Sequence, residues 1–370
     1  MHSQSWTLTD GADGIHQTDF SVSAADTPGG RGSWSVKTRR FHGGRSDGVD
    51  LVEIDNGRMR LLVVPTRGMG IWKAELGDET LGWRSPVRGP VHPKFVPLFD
   101  PSGLGWLDGF DELLVRCGLE SNGAPEFNEQ GQLVYPLHGR IANLPAHRVE
   151  LAVDEEAETI TLRGVVEETR FHFQKLRLVA SVSTRFDATS FTINDSVENF
   201  GGTPAEMQML YHINFGEPTL NPGDRLVAPV RSVRHRIHDG PGSTDGWDVY
   251  GPPVAGQVED CFYLDLQADE AGKAQVLLKS AAGTSGTAVS YNTKALPCFT
   301  LWKNQVASED GYVTGLEPAT NFPNTRSVEK QHGRVVSLAA GERWSAEVTV
   351  DRLTSAKEVE VVEESIRKLI

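Results

Sequence analysis

Cysteine, long hydrophobic runs and a leader pattern are scarce or missing in this sequence. Its three cysteines, Cys117, Cys261 and Cys298, are odd in number and far apart, which argues against a disulfide framework or a cysteine-based zinc site and favours a reducing compartment. No apolar stretch approaches the roughly 20 residues that span a bilayer. Residues 1–10 lack the basic segment and apolar run typical of a secretory signal. We therefore expect a cytoplasmic protein.

Basic residues are also in deficit. The chain has 36 Lys and Arg against 50 Asp and Glu, a formal net charge of −14 at pH 7, so we expect no binding to nucleic acid or to anionic membrane surfaces. A phosphorylated substrate would need a local basic pocket, which the net charge does not exclude. His235 and His238 have a spacing that could hold a metal, but no further ligands lie nearby in the sequence. We therefore predict no metal site.

Strand signals dominate the chain after residue 50. Short alternating or β-branched runs are separated by turn residues, a spacing typical of a β meander or sandwich. Helical periodicity is scarce, so the predicted fold class is all-β. The clearest predicted strands are Thr159–Val166, Lys175–Thr184, Ser190–Phe200, Gln275–Lys279, Ala288–Tyr291, Cys298–Trp302 and Trp344–Val350.

Composition divides the chain into three predicted parts. Residues 1–49 are rich in Gly, Ser, Asp and Thr and are expected to form an arm or hairpin packed on the main domain. Residues 50–354 carry the strand signals and are the predicted main domain. Residues 355–370 have an amphipathic pattern that predicts a C-terminal helix with Ser355 as its cap.

Three segments carry residues suited to proton transfer. Glu317 follows a strand-like run and precedes Pro318, His138 lies between Leu137 and a glycine in a predicted turn, and His212 lies in a mostly apolar strand-like run. A lone Glu or His is more often structural. Together, a carboxylate that accepts a proton and a histidine that donates one form the minimum pair for acid and base chemistry near neutral pH.

Four motifs in this chain resemble, in their order, those of the aldose 1-epimerases or galactose mutarotases. That family has a Leu-His-Gly motif, an Asn-His or Tyr-His strand motif, an Asp followed closely by Phe, and a late Leu-Glu-Pro or Leu-Glu-Thr motif. The resemblance covers roughly residues 50 to 350. The matching residues are Leu137-His138-Gly139, Tyr211-His212-Ile213-Asn214, Asp260-Cys261-Phe262-Tyr263-Leu264 and Leu316-Glu317-Pro318.

The resemblance implies an antiparallel β supersandwich with few short helices, and an isomerase that interconverts the α and β anomers of a monosaccharide or sugar derivative without a cofactor. By position in the motifs, Glu317 would remove the proton of the anomeric hydroxyl and His212 would protonate the ring oxygen. His138 would bind and polarise the region of the ring oxygen. Asp260 would hydrogen-bond sugar hydroxyls.

The family also holds sugar hydroxyls with an arginine, and the motifs leave its identity open. Arg116 and Arg140 are the candidates for this role, while Arg67 could equally be structural. Two other functions also remain open. One is a different sugar isomerisation or epimerisation on the same fold, and the other is a carbohydrate-binding protein without catalysis, which would not need both His212 and Glu317.

Residues 84–132 are rich in Gly and Pro and contain three aromatic residues, Trp106, Phe110 and Phe127. Two interpretations remain open for this segment. It could be a long loop packed over one end of the sandwich, or it could form a wall of the sugar site, because aromatic faces suit the C–H faces of a pyranose.

Overall fold

The computed structural model describes residues 3–27, 29–237 and 243–370. Two α-helices lie in these ranges, α1 (Arg326–Gln331) and α2 (Ala356–Arg367). The strands are β1 (Ser3–Asp10), β2 (Ile15–His16), β3 (Ser21–Ser23), β4 (Ser35–Arg40), β5 (Asp50–Asp55), β6 (Met59–Val64), β7 (Gly70–Leu76), β8 (Glu79–Leu81), β9 (Leu114–Leu119), β10 (Glu126–Phe127), β11 (Leu133–Tyr135), β12 (Arg148–Asp154), β13 (Thr159–Thr169), β14 (Lys175–Arg185), β15 (Ser190–Asn199), β16 (Ala205–Gly216), β17 (Arg225–Val227), β18 (Val230–His235), β19 (Asp260–Leu266), β20 (Lys273–Lys279), β21 (Gly286–Asn292), β22 (Cys298–Asn304), β23 (Val313–Ala319), β24 (Val336–Leu338) and β25 (Arg343–Leu353).

Most strands belong to two large antiparallel sheets. The first sheet has ten strands in the order β17-β20-β21-β25-β15-β14-β13-β12-β1-β2. The second has the order β18-β19-β22-β23-β16-β9-β7-β6-β5-β4-β3, with β24 paired to β16 and β8 paired to β7. This all-β sandwich confirms the predicted fold class.

The core lies between the two sheets. Strand β16 shows that both faces of the second sheet are covered, one by the core and the other by residues outside it. Met209, Tyr211 and Ile213 belong to the core cluster shared with strands of the first sheet. Side chains alternate along a strand, so His212 lies on the opposite face of the sheet. That face is also covered, and all but one residue of β16 are buried. Such a strand shows little polar alternation in its sequence.

The strands predicted from periodicity are all present, with ends that differ by a few residues. The N-terminal residues supply strands to both sheets, because β1 pairs with β12 in the first and β4 pairs with β5 in the second. Helix α2 begins after Ser355, whose side chain accepts a hydrogen bond from the backbone N–H of Glu358. Within the described ranges, no helix is long and apolar enough to cross a membrane.

Two local expectations need correction. The segment 84–132 is not only a loop, because it contains β9, a central strand of the second sheet. All six residues of β9 are buried, so the strand lacks the alternation that would have revealed it. Glu317 also lies inside β23 rather than at a strand end, because pairing with β22 continues through Pro318 to Ala319.

Candidate active site

Strand register brings the predicted acid and base side by side. In the ladder between β16 and β23, Leu210 is opposite Ala319 and Ile213 is opposite Leu316, which places His212 opposite Glu317. Directly opposed residues on neighbouring antiparallel strands project from the same face. Residues 105 positions apart in sequence therefore meet on the outer face of the second sheet.

A cleft of about 360 Å³ opens over this pair. Clefts of this size suit small ligands, and such sites typically combine apolar walls with a few polar groups. The lining residues are Leu104, Trp106, Leu107, Phe110, Ala124, Pro125, Leu137, His138, His212, Arg236, Glu259, Cys261, Trp302, Glu317 and Pro323.

The orientation of His212 is set by Asn214. The Nδ1 atom of His212 lies 2.6 Å from the side-chain oxygen of Asn214. The amide nitrogen of Asn214 donates to the carbonyl oxygens of Glu112 (3.0 Å) and His212 itself (3.2 Å), so its oxygen must face the imidazole. An amide oxygen only accepts, so Nδ1 carries a proton. The nitrogen free to gain or lose a proton is Nε2, which lies 3.2 Å from Oε1 of Glu317.

Burial favours the neutral form of both partners, although Nε2 and Oε1 lie at ion-pair distance. The pKa of Glu317 is raised well above 4.5, first by loss of hydration and then by the nearby charge of Glu259. The pKa of His212 is lowered well below 6.5, again mainly by burial. A carboxylic acid next to a neutral imidazole results, with one mobile proton between them.

Gly315 makes room for this pair. It lies two residues before Glu317 on β23 and shares its face of the sheet. A Cβ atom at this position would come 2.4 Å from Oε1 of Glu317 and 3.0 Å from Cε1 of His212. The absence of a side chain at Gly315 therefore leaves the space that the carboxyl group of Glu317 occupies.

His138 lies beside the pair in a constrained turn. Its ring is 5.3 Å from that of His212, measured between centroids, and its φ of 57° is in the left-handed region that few residues other than glycine adopt. Its Nδ1 donates to the carbonyl oxygen of Asn122 at 2.9 Å, which leaves Nε2 as an acceptor in the neutral ring. Burial lowers the pKa of His138 to about 4, so the ring is neutral at physiological pH.

Aromatic rings enclose the two histidines. Trp106 packs on His138 with ring centroids 4.6 Å apart, and Phe110 packs on His212 at 5.1 Å. Trp302 contacts His212 from β22 at 5.4 Å. Phe127, the third aromatic residue of the predicted wall, does not line the cleft. Residues around 105–110 therefore form one wall of this cleft, together with Trp302.

Glu259, rather than its neighbour Asp260, lines the cleft. The carboxylate of Asp260 lies 3.2 Å from Nε2 of His235. Glu259 accepts a hydrogen bond from Nε1 of Trp302 at 2.7 Å and lies 3.4 Å from the guanidinium of Arg236. Neighbouring side chains in an extended segment point in opposite directions. Glu259 therefore faces the cleft, and Asp260, predicted for this role, points away from it.

None of the arginines considered from the sequence lines the cleft. Arg116 is buried between the sheets, where it pairs with Asp195 and donates to the carbonyl oxygen of Met69. Arg140 lies 3.4 Å from Glu120 and 3.3 Å from Glu168. Arg67 is likewise buried, paired with Glu112. These arginines already have carboxylate partners, and the arginine that faces the cleft is Arg236.

Cys261 also lines the cleft but is not suited to act as a nucleophile. Burial raises the pKa of the Cys261 thiol well above 9.0, so this cysteine is a neutral wall group rather than a nucleophile. No cluster of three or more His, Cys, Asp or Glu side chains suited to a metal occurs in the part of the chain that the structure describes. His238, considered as a metal ligand with His235, lies outside the described residues.

The sequence analysis assigned no role in the site to Asn214, Arg236 or Trp302. Asn214 had a detectable signal, because it follows His212 by two positions in a strand and must share its face. Arg236 and Trp302 had none, because they contact Glu259 from 23 and 43 positions away in the sequence.

Comparisons with known proteins agree with this architecture. A family profile described as a domain of unknown function, DUF4432, matches residues 46–351. No curated protein matches the sequence. The solved structure of a candidate aldose 1-epimerase from Klebsiella pneumoniae subsp. pneumoniae is 32% identical, with a TM-score of 0.93, and the match covers 99% of this chain and 96% of that chain.

More distant structures share the fold. A galactose mutarotase-like protein from Clostridium acetobutylicum has 14% identity and a TM-score of 0.57 over 86% of this chain and 98% of its own. A candidate aldose 1-epimerase from Escherichia coli K12 has 16% identity and a TM-score of 0.55 over 82% and 99%. The chain therefore belongs to the DUF4432 family and, through its fold and its ordered motifs, to the aldose 1-epimerase or galactose mutarotase-like proteins.

Proposed function

We propose that this protein is an isomerase that interconverts the α and β anomers of a monosaccharide. The observation that carries the proposal is the distance of 3.2 Å between Nε2 of His212 and Oε1 of Glu317, at the base of a cleft of about 360 Å³. That distance is short enough for a hydrogen bond, so a proton can pass directly between the two groups. The aromatic walls and few polar groups suit a neutral sugar.

Transfer of the single mobile proton within the pair produces both the acid and the base. When it moves from Glu317 to Nε2 of His212, it leaves a carboxylate beside an imidazolium. The carboxylate takes the proton of the anomeric hydroxyl, and the imidazolium gives its Nε2 proton to the ring oxygen. The bond between C1 and the ring oxygen breaks, and the electron pair of the former O–H bond forms the carbonyl.

Rotation about the C1–C2 bond then exposes the other face of the aldehyde. Ring closure reverses the proton transfers, so the pair returns to its starting state and no proton is gained or lost overall. The chemistry of this cycle calls for two positioned side chains and no redox step.

The remaining polar groups are suited to holding the sugar. Glu259 and Arg236 supply an acceptor and donors for hydroxyl groups. Neutral His138 has its proton on Nδ1, so its Nε2 can accept from a hydroxyl but cannot donate to a ring oxygen. We therefore assign His138 to a hydroxyl rather than to the ring oxygen that the family resemblance implied. Glu259 takes the role expected of Asp260.

Replacement of Glu317 by Gln tests the proposal. The substitution keeps the size of the side chain but removes the base, so the rate of anomer exchange should fall by about 10²-fold or more, since one positioned acid or base contributes about 10²- to 10⁴-fold. Exchange is measured by NMR on the anomeric protons across a panel of monosaccharides. Glu309→Gln, an exposed acid-to-amide change, is the matched control and should keep the wild-type rate.

Two results would contradict the proposal. Wild-type exchange rates in Glu317→Gln would show that this carboxyl is not the base. Sugar binding by the wild-type protein without exchange of any panel member would instead favour a carbohydrate-binding protein.

A further inference from the structure

Trp106 brings a hydrogen-bond donor without a partner to the cleft. The residue lines the cleft and is 1% exposed, yet its Nε1 atom has no hydrogen-bond partner among the residues that the structure describes. A buried donor that stays unpaired costs free energy, so such atoms are rare. Four other indoles of this chain each donate to a protein oxygen at 2.7–3.2 Å, those of Trp34, Trp72, Trp83 and Trp302.

A complementary acceptor lies beside this donor. The ring centroids of Trp106 and His138 are 4.6 Å apart, and His138 also lines the cleft. Because Nδ1 of His138 donates to the carbonyl oxygen of Asn122 at 2.9 Å, Nε2 of the neutral ring is an acceptor. A hydroxyl group can accept one hydrogen bond and donate another. The two side chains therefore match a hydroxyl.

This donor and acceptor lie next to the proposed acid and base. The ring of His212 is 5.3 Å from that of His138 and 6.2 Å from that of Trp106, measured between centroids. Glu259 and Arg236, the other polar pair in the cleft, lie 3.4 Å apart and already have each other as partners. Trp106 is different, because a bound ligand would supply the first partner of its N–H.

We propose that one hydroxyl of the sugar binds between Trp106 and His138, where it accepts from Nε1 of the indole and donates to Nε2 of the imidazole. This inference deepens the proposed anomer exchange and rests on it. Because Nε1 is closed to solvent in the free protein, the indole has to shift to meet the hydroxyl. A carboxylate or phosphate oxygen could accept from Trp106 but would face the acceptor of His138, so the two residues select a neutral hydroxyl.

Deoxy sugars identify the hydroxyl. The sugar that the wild-type protein exchanges fastest is compared with its monodeoxy forms, each of which lacks one hydroxyl other than the anomeric one. At one position, kcat/KM should fall by about 10- to 100-fold, because buried groups suited to a hydroxyl are left unpaired. Trp106→Phe keeps an aromatic ring but lacks the N–H. In this variant the loss at that position should shrink by about 10-fold, while the losses at other positions stay as in the wild type.

A second variant probes the acceptor. His138→Asn suits the backbone, because asparagine tolerates the φ of 57° at this position. It offers an N–H group in place of Nδ1 but lacks the acceptor Nε2. The variant should reduce the loss at the same sugar position as Trp106→Phe does. Trp6→Phe, on β1 and outside the cleft lining, is the matched control and should leave every loss unchanged.

The indole signal of Trp106 reports the contact without turnover. The chain has eight tryptophans, so few indole signals occur in a ¹H–¹⁵N NMR spectrum, and the one missing from Trp106→Phe belongs to Trp106. A saturating concentration of the sugar should move this signal downfield in the wild-type protein, because its N–H gains a hydrogen bond.

The outcomes separate the two proposals. Equal losses in wild type and Trp106→Phe at every position overturn the inference and leave anomer exchange intact. The same holds if Trp106→Phe and His138→Asn reduce the losses at different positions, or if the indole signal does not move at saturating sugar. Absence of exchange for every sugar, with a shifted indole signal, overturns anomer exchange and keeps the contact as part of a binding site.

Discussion

At the scale of single residues, Asn214 controls the chemistry of His212. Its amide holds Nδ1 of the imidazole in the protonated state, so only Nε2 can exchange a proton with Glu317. An imidazole with the other tautomer would turn an N–H toward the carboxyl group and could not accept its proton. The position of one amide therefore decides whether the pair can share a proton.

The proposed pair also predicts how the activity should depend on pH. The active form has one mobile proton, so it is lost when the pair gains a second proton on acidification or loses its proton at high pH. Because burial lowers the pKa of His212 below 6.5 and raises that of Glu317 above 4.5, kcat/KM should stay constant as the pH falls through 6.5. It should fall only at lower pH.

A pH profile of kcat/KM, with circular dichroism at each pH to verify that the protein is folded, measures this. Burial also keeps His138 neutral, with a pKa of about 4, so neither histidine of the site should titrate near 6.5. An acid limb centred near 6.5 in folded protein would show a solvated histidine and would contradict the buried pair.

At the scale of elements, β23 illustrates how a strand, rather than a loop, can position the proposed base. Glu317 is paired on both sides, by β22 and by β16, so its backbone is held by two ladders. Residues on rigid strands position functional groups more accurately than residues on loops. Gly315 provides the space that this arrangement requires.

Gly315→Ala should therefore cost activity more than stability. The added Cβ would lie 2.4 Å from Oε1 of Glu317, and the carboxyl group can move away whereas the strand cannot. A displacement of about 1 Å in a catalytic group can cost about 10²-fold in rate, and we expect a loss of this order in the exchange assay.

Gly202→Ala is the matched control, because a Cβ at Gly202 meets nothing within 4 Å. This variant should keep the wild-type exchange rate. Wild-type activity in Gly315→Ala would mean that Glu317 tolerates displacement and is not held as the catalytic base.

At the scale of the whole molecule, the ion pair of Arg116 and Asp195 connects the two sheets. Arg116 is on β9 of the second sheet and Asp195 is on β15 of the first. The hydroxyl of Tyr211 also donates to Asp195 at 3.1 Å. Removal of one partner leaves a buried charge without compensation, whereas removal of both can be nearly neutral.

Arg116→Met should lower the free energy of unfolding by about 3–5 kcal/mol, measured by urea denaturation. The double variant Arg116→Met with Asp195→Leu should recover part of this loss. Arg343→Met, which removes an exposed partner of Glu198, should change the free energy of unfolding by about 1 kcal/mol or less. A normal free energy of unfolding in Arg116→Met, together with lost sugar binding, would return Arg116 to the role of a ligand.

Local sequence features were sufficient to predict the all-β class, the approximate strands and the residue types of the proposed acid and base. These follow from local features: period-two alternation, turn residues between runs, and short motifs around His138, His212 and Glu317. Asn214 was accessible by the same logic, because residues two apart on a strand share a face. The local sequence pattern is sufficient where the position of a side chain depends on a single strand or turn.

Which neighbours complete the site depends on contacts that form when the chain folds. Glu259 faces the cleft while Asp260 pairs with His235, and Arg116 pairs with a carboxylate 79 positions away. The direction of a side chain reverses with each residue of a strand, and its partner depends on the register with another strand. The direction of a side chain and its partner cannot be predicted from the local sequence, because the hydrogen-bonded ladders and the packing of the two sheets determine both.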